Sequence, residues 1–220
     1  MKKQYKQYLI NNIDWLHDLS FIEIGTCNHT TLCDSDYSNN IVGHNLGIGV
    51  EIVADYLEEL PTWSNIRKIN AAVTDHSGEV IMYHVPKDRI KPSASYYRQL
   101  QGCNSINTYH PNHLKWGVKD LVKKTPVRAM TLPELIYENN VRGIQFLKMD
   151  LEGHDHVVMR NYHEFLTDMP VVFHPKRIQF ESNTHTDKIN IDIVIEMYQQ
   201  LNYQVMRRDH DVVIDLRNES

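Results

Sequence analysis

The sequence predicts a single α/β domain built on a mostly parallel sheet with helices on both faces. Short apolar strands alternate with amphipathic helices along the chain, which is typical of this class. No internal repeat and no Gly/Ser-rich linker separates two hydrophobic cores, and 220 residues suit one large domain better than two small ones. The hydrophobic fraction of 41% and the charged fraction of 23% exclude the disordered and collagen-like classes.

Residues 1–85 predict two helices and four strands. Apolar residues recur at helical spacing from Gln4 onward, so residues 1–19 are expected to form an N-terminal helix. A helix through Tyr56 should end before Pro61, which cannot continue it. The predicted strands are Ser20–Ile24, Leu46–Glu51, Ile66–Val73 and, after a Ser77-Gly78 turn, Glu79–Val85.

Residues 86–126 interrupt this alternation. They are polar, rich in tyrosine and poorly periodic, and long segments of this kind in a compact domain are usually functional. We therefore expect a lid or substrate wall that contains short helices. Tyr96, Tyr97, Tyr109 and Trp116 could stack on a sugar ring or fill a small core beneath the segment, and the sequence leaves both options open.

Regular alternation returns at Val127. A strand reaching Met130 is followed by a helix that Thr131 caps, with Glu134 three positions later as in a capping box. The remaining predicted elements are the strand Ile144–Met149, the helix Asp155–Leu166, the strand Arg177–Glu181, the helix Asp187–Leu201 and the strands Tyr203–Met206 and Asp211–Leu216.

Charge and cysteine content exclude several function classes. The net charge of −5 supplies no basic field for a nucleic-acid backbone, so we expect no nucleic-acid partner. No apolar run is long enough to span a membrane, and no signal-peptide core follows Met1, so a cytoplasmic location is expected. The three cysteines contain no CxxC pair, which favours reduced thiols over a disulfide framework. A homo-oligomer is compatible with the sequence.

Polar residues follow the first two core strands, where ligands bind in sheets of this class. Gly25 ends the first strand and lets backbone amides approach a ligand closely. Glu51 ends the second strand, and a carboxylate there can accept both hydroxyls of a ribose. The dinucleotide pattern G-x-G-x-x-G would need glycine at Cys27 and Thr30, so an NAD site is not favoured.

A second polar cluster, Lys148–His154, follows the strand that ends at Met149. It places Asp150, Glu152 and His154 within five residues, which suits proton transfer better than a core. A simpler interpretation is a loop in which Asp155 caps the next helix. The following strand ends at Glu181 and Asn183, so Asp150, Glu181 and Asn183 could together offer oxygen ligands to Mg²⁺ or Mn²⁺.

These residues resemble the FkbM-type S-adenosylmethionine-dependent methyltransferases. The run Phe146-Leu-Lys-Met-Asp-Leu-Glu-Gly-His154 looks like the family's lysine, aspartate, glutamate-glycine signature. Phe21–Gly25, Val50-Glu51 and Asn70–Val73 follow the family's order, and the resemblance extends from Ser20 to Leu216. It implies a Rossmann-like class I methyltransferase fold: a seven-stranded, mostly parallel sheet with an antiparallel last strand and an inserted strand or lid segment.

The resemblance also implies a role for individual residues in binding S-adenosylmethionine. Glu23, Gly25 and Thr26 would hold the methionine part of the cofactor, Glu51 its ribose and Ala72 the edge of its adenine. Asp150 would also contact the cofactor, and Asp150 and Glu152 would face its methyl group. This chain departs from the family pattern in having Cys27 and His29 where further glycines are usual, and Ile52 where proline is common.

For the acceptor, the resemblance implies a small molecule or glycan. A subgroup pattern between the third and fourth core strands lies near the expected substrate entrance, and we assign substrate binding to Asn104, Ser105, Tyr109 and His110. Sugar, lipid and polyketide hydroxyls are all compatible, and the aromatic and amide side chains favour a carbohydrate. A hydroxyl acceptor needs a base, for which His154 is the first candidate and Asp150 the second.

Two other functions stay open at this stage. An NAD-dependent nucleotide-sugar reductase or epimerase would need a Tyr-x-x-x-Lys pair, and we find none in a credible helix. A non-catalytic module that keeps the fold and binds S-adenosylmethionine is favoured by the altered loop at Cys27 and His29. The acids and histidine of the Lys148–His154 cluster argue against it, because a pure binder gains little from like charges in a cleft. The pair His110 and His113 is weak evidence for zinc without a nearby acid.

Overall fold

The computed structural model describes residues 2–28, 46–60, 66–90, 97–182 and 187–217. The helices in these ranges are α1 Lys2–Asn11, α2 Ala54–Glu59, α3 Tyr97–Gly102, α4 Pro111–Lys115, α5 Leu132–Glu138, α6 Asp155–Leu166 and α7 Lys188–Gln200. The strands are β1 His17–Ile24, β2 Gly47–Glu51, β3 Ile66–Asn70, β4 Ala72–Thr74, β5 Gly78–His84, β6 Ser105–Ile106, β7 Lys123–Thr131, β8 Val141–Met149, β9 Arg177–Glu181, β10 Tyr203–Arg208 and β11 Asp211–Leu216.

The main sheet has seven strands in the order β10-β11-β9-β8-β1-β2-β3. The pairs β1–β2, β2–β3, β1–β8 and β8–β9 are parallel, whereas β11 is antiparallel to both β9 and β10. The α/β class is therefore confirmed, and the sheet is mixed where the sequence predicted a mostly parallel one. The last strand, β11, is antiparallel as the resemblance implied, and the short connection between β10 and β11 allows these two strands to pair only antiparallel.

A second sheet of four strands, in the order β4-β7-β5-β6, stands beside the main one. The sequence predicted one continuous strand from Ile66 to Val73, but the chain instead leaves β3 and enters β4 after a single residue, Ala71. Ala71 and Val73 are buried in the main core, while Ala72 packs with the second sheet's cluster around Val80. This short stretch of chain thus contributes to both cores.

The predicted N-terminal helix over residues 1–19 is too long. Helix α1 ends at Asn11, a 3₁₀ turn covers Ile13–Trp15, and β1 already begins at His17. The early start of β1 comes from β8, since Leu19 is in register with Ile144. Arg142 adds a bidentate ion pair with Asp18, at 2.9 and 2.6 Å. Leu19 is buried in the strand, so its apolar character is compatible with the predicted helix as well as with the observed strand.

Residues 86–126 contain the expected short helices, α3 and α4, and two 3₁₀ turns, Lys87–Arg89 and Lys119–Leu121. They have a small core of their own around Leu100 and Val118, against which Trp116 packs. Trp116 therefore fills a core beneath the segment, whereas Tyr96 lies outside the described residues. Strand β7 starts at Lys123, four residues before the predicted Val127, because Lys123 continues the antiparallel ladder with β5 at His84.

The central strands carry the main core, and α5, α6 and α7 pack against them. The predicted capping box at α5 is confirmed: the Glu134 amide donates to Thr131 Oγ1 at 3.1 Å, and the Thr131 amide donates to the Glu134 carboxylate at 3.4 Å. Among the described helices, none combines the length and the apolar character that crossing a membrane requires.

Candidate active site

A cavity of about 290 Å³ opens at the carboxyl ends of β1, β2 and β8. Because these strands are parallel neighbours, their last residues meet at one edge of the sheet. The opposite wall comes from residues 102–111 of the insert, and the loop after β8 closes one side. The sequence-predicted residues on this lining are Gly25, Glu51, Ala72, Asn104, Ser105, Tyr109, His110, Asp150, Glu152 and His154.

Gly25 lies where the loops after β1 and β8 cross. Its φ of +81° is in the left-handed region, and its amide donates to the Val50 carbonyl at 2.9 Å. A Cβ at this position would lie 2.0 Å from the Asp150 carbonyl oxygen, a distance that real Cβ contacts do not reach. The residue must therefore be glycine, and its backbone forms part of the cavity floor.

Glu51 is a buried carboxylate on the cavity wall, with only 3% of its surface exposed. One of its oxygens accepts from the Cys27 amide at 2.7 Å and the other from the Val53 amide at 2.8 Å. Burial raises the pKa of Glu51, while these backbone donors act in the opposite direction. The two amides fix the carboxylate in place, and each oxygen keeps a further lone pair for a ligand hydroxyl.

Cys27 lines the cavity beside Glu51 with a φ of +51°, an unfavourable conformation for a residue with a side chain. Burial raises the pKa of its thiol to about 11, so the thiol is neutral near pH 7. Cys27 and Cys103 are free thiols, as the sequence predicted, and Cys33 lies outside the described residues.

Asp150 and Glu152 bring negative charge to the cavity. Desolvation by the surrounding protein and then the negative charge of Glu152 raise the pKa of Asp150 to about 6. Glu152 has a φ of +53° and accepts from His110 Nε2 at 3.2 Å. Its carboxylate is thus oriented by a histidine of the insert.

The protonation of His110 is set by opposing effects. Burial lowers the pKa of His110, but Cys103 and Glu152 outweigh it and raise that pKa to about 9. The Asn112 amide donates to Nδ1 at 3.1 Å, which opposes protonation at that nitrogen. In both protonation states Nε2 carries a proton, so His110 donates to Glu152 either way.

His154 precedes α6 and lines the cavity. Its Nε2 lies 3.0 Å from Thr74 Oγ1, at the end of β4. Desolvation lowers the pKa of His154, the charges of His156 and His76 lower it further, and Asp75 raises it. The net pKa is below the ordinary value of about 6.5, so the ring is neutral at pH 7 and able to accept a proton.

Asp155, which the sequence predicted only as a helix cap, holds two strand ends together. It is fully buried, and its oxygens accept from the Leu151 amide at 3.1 Å and the Glu181 amide at 3.2 Å. The helix cap position is His154 instead. Burial and the charge of Asp150 raise the pKa of Asp155 to about 7.

Glu23 and Thr26 are not on the cavity lining. Glu23 is fully buried and pairs with Lys148, its register partner on β8, at 2.9 Å. Thr26 is 2% exposed and donates to the Cys27 carbonyl at 3.3 Å. The assignment of Glu23 and Thr26 to cofactor binding stays a prediction of the resemblance, and the contacts that the structure gives their side chains are with Lys148 and with the Cys27 carbonyl.

The predicted metal ligands are only partly described. Glu181 is the register partner of Asp211, and its amide donates to Asp155. Asn183 lies outside the described residues. In the described ranges, no three histidine, cysteine, aspartate or glutamate side chains are grouped so that they could hold a metal ion.

The four predicted substrate residues line the insert side of the cavity. Two of them brace the insert: Asn104 donates to the Gln101 carbonyl at 3.0 Å, and Ser105 donates to the Thr108 carbonyl at 2.7 Å. Sequence reasoning missed Thr74, which directly adjoins a predicted strand, and it missed the hydrogen bonds by which Asp155 holds two strand ends together. A polar residue at a strand end was the available signal for Thr74.

A family model described as "Methyltransferase FkbM domain" matches residues 23–216 of the chain. The protein belongs to the FkbM methyltransferase family. Among solved structures, this FkbM protein is similar to a methyltransferase FkbM from Methylobacillus flagellatus KT, with 11% sequence identity and a TM-score of 0.50. The similarity covers 90% of this chain and 43% of that one, so the FkbM chain described here spans less than half the length of its structural relative. No curated protein matches it.

Proposed function

We propose that this FkbM protein is an S-adenosylmethionine-dependent O-methyltransferase that acts on a hydroxyl of a sugar or glycan in the cytoplasm. We also propose that residues 1–220 form one methyltransferase domain of the Rossmann-like class I type. The observation that carries the function is the meeting of Gly25, Glu51 and Asp150 on one cavity at the carboxyl ends of three neighbouring strands. Family membership supports methyl transfer.

The residues present fit the cofactor. Glu51 is an acceptor-only carboxylate held at the wall, as binding of a ribose diol requires. Ile52 and Ala72 provide an apolar surface for an adenine, and Gly25 leaves room for close approach of a ligand to the backbone. Asp150 and Glu152 would favour the positive charge of a sulfonium through electrostatic attraction. The cavity volume lies near the lower end of the usual range for small-molecule sites, about 300–1,000 Å³.

Bound S-adenosylmethionine would supply a methyl group already activated on sulfur. The chain itself then needs to align the acceptor hydroxyl and to remove its proton. His154 is neutral at pH 7, and Asp150, with a pKa of about 6, is mostly ionised there. Both can accept a proton, and His154 remains our first candidate base. We assign Glu152 a supporting catalytic role beside the methyl group that is transferred.

The acceptor would lie against the insert. Asn104, Ser105, Tyr109 and His110 line that wall and combine hydrogen-bonding groups with an aromatic ring, a combination suited to carbohydrates. A neutral hydroxyl-rich acceptor also avoids the repulsion that an anionic one would meet from Asp150 and Glu152.

A divalent cation remains a proposal. Mg²⁺ or Mn²⁺ at Asp150, Glu181 and Asn183 would orient an acceptor hydroxyl. EDTA should then abolish methyl transfer, and Mg²⁺ or Mn²⁺ should restore it. Full activity after exhaustive chelation would remove the cation from the proposal.

Calorimetry with S-adenosylmethionine and S-adenosylhomocysteine tests the cofactor assignment. We expect micromolar binding that Glu51→Ala weakens by about tenfold or more, through loss of charge-assisted hydrogen bonds. Glu58→Ala is a matched control, because Glu58 is an exposed glutamate on the adjoining helix α2. Its affinity should equal that of the wild type.

Two other outcomes would redirect the proposal. Binding of NAD(H) in place of S-adenosylmethionine would favour a nucleotide-sugar reductase or epimerase. Tight binding of S-adenosylmethionine without methyl transfer to any member of a broad sugar and glycan panel would favour a non-catalytic binding module.

A further inference from the structure

A short chain of hydrogen bonds leads from the cavity to the protein surface. It runs from His154 Nε2 to Thr74 Oγ1 at 3.0 Å, and from Thr74 Oγ1 to Asp75 Oδ1 at 3.2 Å. The same Asp75 oxygen lies 2.8 Å from His76 Nδ1. These contacts join the loop after β8 to the end of β4.

The direction of each hydrogen bond follows from chemistry. The carboxylate of Asp75 can only accept, and its hydrogen bonds to His76 and Thr74 lower its pKa, so it stays ionised at neutral pH. The single hydroxyl proton of Thr74 is therefore committed to Asp75. Thr74 Oγ1 is left as an acceptor, and the proton between it and His154 must come from Nε2.

We propose that Thr74 is a positioning residue that keeps the ring proton of His154 on Nε2 and leaves Nδ1 free to accept a proton. The inference rests on the proposed function, in which His154 is the base. In the reverse arrangement, a Thr74 hydroxyl pointing at His154 would place two oxygen lone pairs against each other at 3.2 Å. Thr74 is 1% exposed, so water does not replace either contact.

The backbone around this chain is held firmly. The Asn161 side chain of α6 donates to the Asp75 carbonyl at 2.9 Å, and β4 pairs with β7 through Thr74 and Thr131. Helix α6 also begins directly after His154. The orientation of the imidazole is thus set by two elements that are themselves tied together.

In the proposed reaction, the acceptor oxygen forms a bond to the methyl carbon while the bond from that carbon to the cofactor's sulfur breaks. The hydroxyl proton passes to His154 Nδ1. The products are a methyl ether, a neutral thioether and an imidazolium whose Nε2–H still donates to Thr74. Thr74 makes no contact with the acceptor in this scheme.

Nitrogen-15 NMR of the histidine ring nitrogens tests the inference on the protein without acceptor. The His154 signals are identified by their loss in His154→Gln. In the wild type we expect the Nε2–H form. Thr74→Val should lower the ratio of Nε2–H to Nδ1–H by about tenfold, and Thr74→Ser should restore it.

Asp75→Ala provides a second variant, at a position whose side chain is half exposed. Removing the acceptor frees the Thr74 hydroxyl to donate to Nε2, so the Nδ1–H form should increase. The matched control is Asp14→Ala, because Asp14 is an exposed aspartate on the 3₁₀ turn after α1. This variant should leave the ratio of Nε2–H to Nδ1–H at His154 unchanged. If Thr74→Val does not fold, the ratio of Nε2–H to Nδ1–H in Asp75→Ala tests the proposal by itself.

A wild-type protein in the Nδ1–H form, or an unchanged ratio in Asp75→Ala, would overturn the inference. Calorimetry with S-adenosylmethionine on the same samples separates this result from the proposed function. Normal cofactor binding with an unchanged ratio of Nε2–H to Nδ1–H would contradict only the role of Thr74. Absence of cofactor binding would contradict the proposed S-adenosylmethionine-dependent function itself.

Discussion

The α-carbon of Gly25 faces the carbonyl oxygen of Asp150 so closely that a Cβ on Gly25 would lie 2.0 Å from that oxygen. The Asp150 amide donates to the Ile24 carbonyl at 3.0 Å, which holds the two loops in this crossing. Since both residues line the cavity, this contact sets the shape of the proposed cofactor site.

Gly25→Ala should destabilise the protein and weaken cofactor binding. The backbone oxygen cannot move away as a side chain would, so we expect about 2 kcal/mol of lost unfolding free energy beyond the cost of a positive φ. Gly117→Ala isolates that cost, because Gly117 has a φ of +64° and nothing within 4 Å of a new Cβ. Urea unfolding measures both, and equal losses in the two variants would contradict the steric argument.

The rate of methyl transfer should rise with pH and level off near neutrality. His154 has a pKa below its ordinary value, and Asp150 has one of about 6, so either base is deprotonated by pH 7. His154→Ala should lower turnover by about 100-fold and leave the calorimetric affinity for S-adenosylmethionine nearly unchanged. Full activity in both His154→Ala and Asp150→Asn would exclude these bases.

Lys148→Met should destabilise the protein by about 3 kcal/mol, because it removes the cation paired with a fully buried Glu23 carboxylate. Replacing both partners, Glu23→Leu with Lys148→Met, should recover part of that loss, since no buried charge remains. Chemical denaturation of the single and double variants gives the coupling energy. A double variant whose loss equals the sum of the single losses would show that the pair is not coupled.

Asp155 should make the folded state less stable as pH rises. Its pKa of about 7 in the folded protein exceeds the value of about 3.9 expected after unfolding, so the folded state binds the proton more tightly. The contribution is therefore fully present below about pH 4 and is lost as pH rises toward 7.

Asp155→Asn tests this linkage. Between pH 4 and 7 its unfolding free energy should fall less than that of the wild type, although the amide can accept only one of the two backbone donors. Asp192→Asn, at a half-exposed site on α7, should follow the wild-type profile. Parallel profiles for Asp155→Asn and the wild type would contradict the raised pKa.

Much of the fold followed from local patterns. The bounds of α6, β9 and β11 match the predicted ones, since their apolar periodicity is clear and turn residues flank them. The capping box at Thr131 also needed only local information. In contrast, α1 was predicted too long because Leu16 and Leu19 fit a helical period as well as a buried strand, and pairing with β8 decided the outcome.

The cavity itself was predictable from a general rule, because residues after parallel strands meet at one edge of the sheet. Gly25, Glu51 and Asp150 were located in this way. The rule does not give register between distant strands, so it does not show that Lys148 pairs with Glu23, a residue that the family resemblance had assigned to the cofactor. Nor does it give the contact between Thr74 and His154, which depends on how the second sheet meets the first.

The passage from β3 to β4 constrains the length of this part of the chain. Ala71 and Val73 face one core and Ala72 the other, so deleting or inserting a single residue here would exchange the two sets of side chains. The same one-residue shift in register would also move Thr74 away from His154 and break their hydrogen bond. Relatives that retain this chemistry should therefore tolerate insertions within residues 86–126 far more readily than between residues 66 and 74.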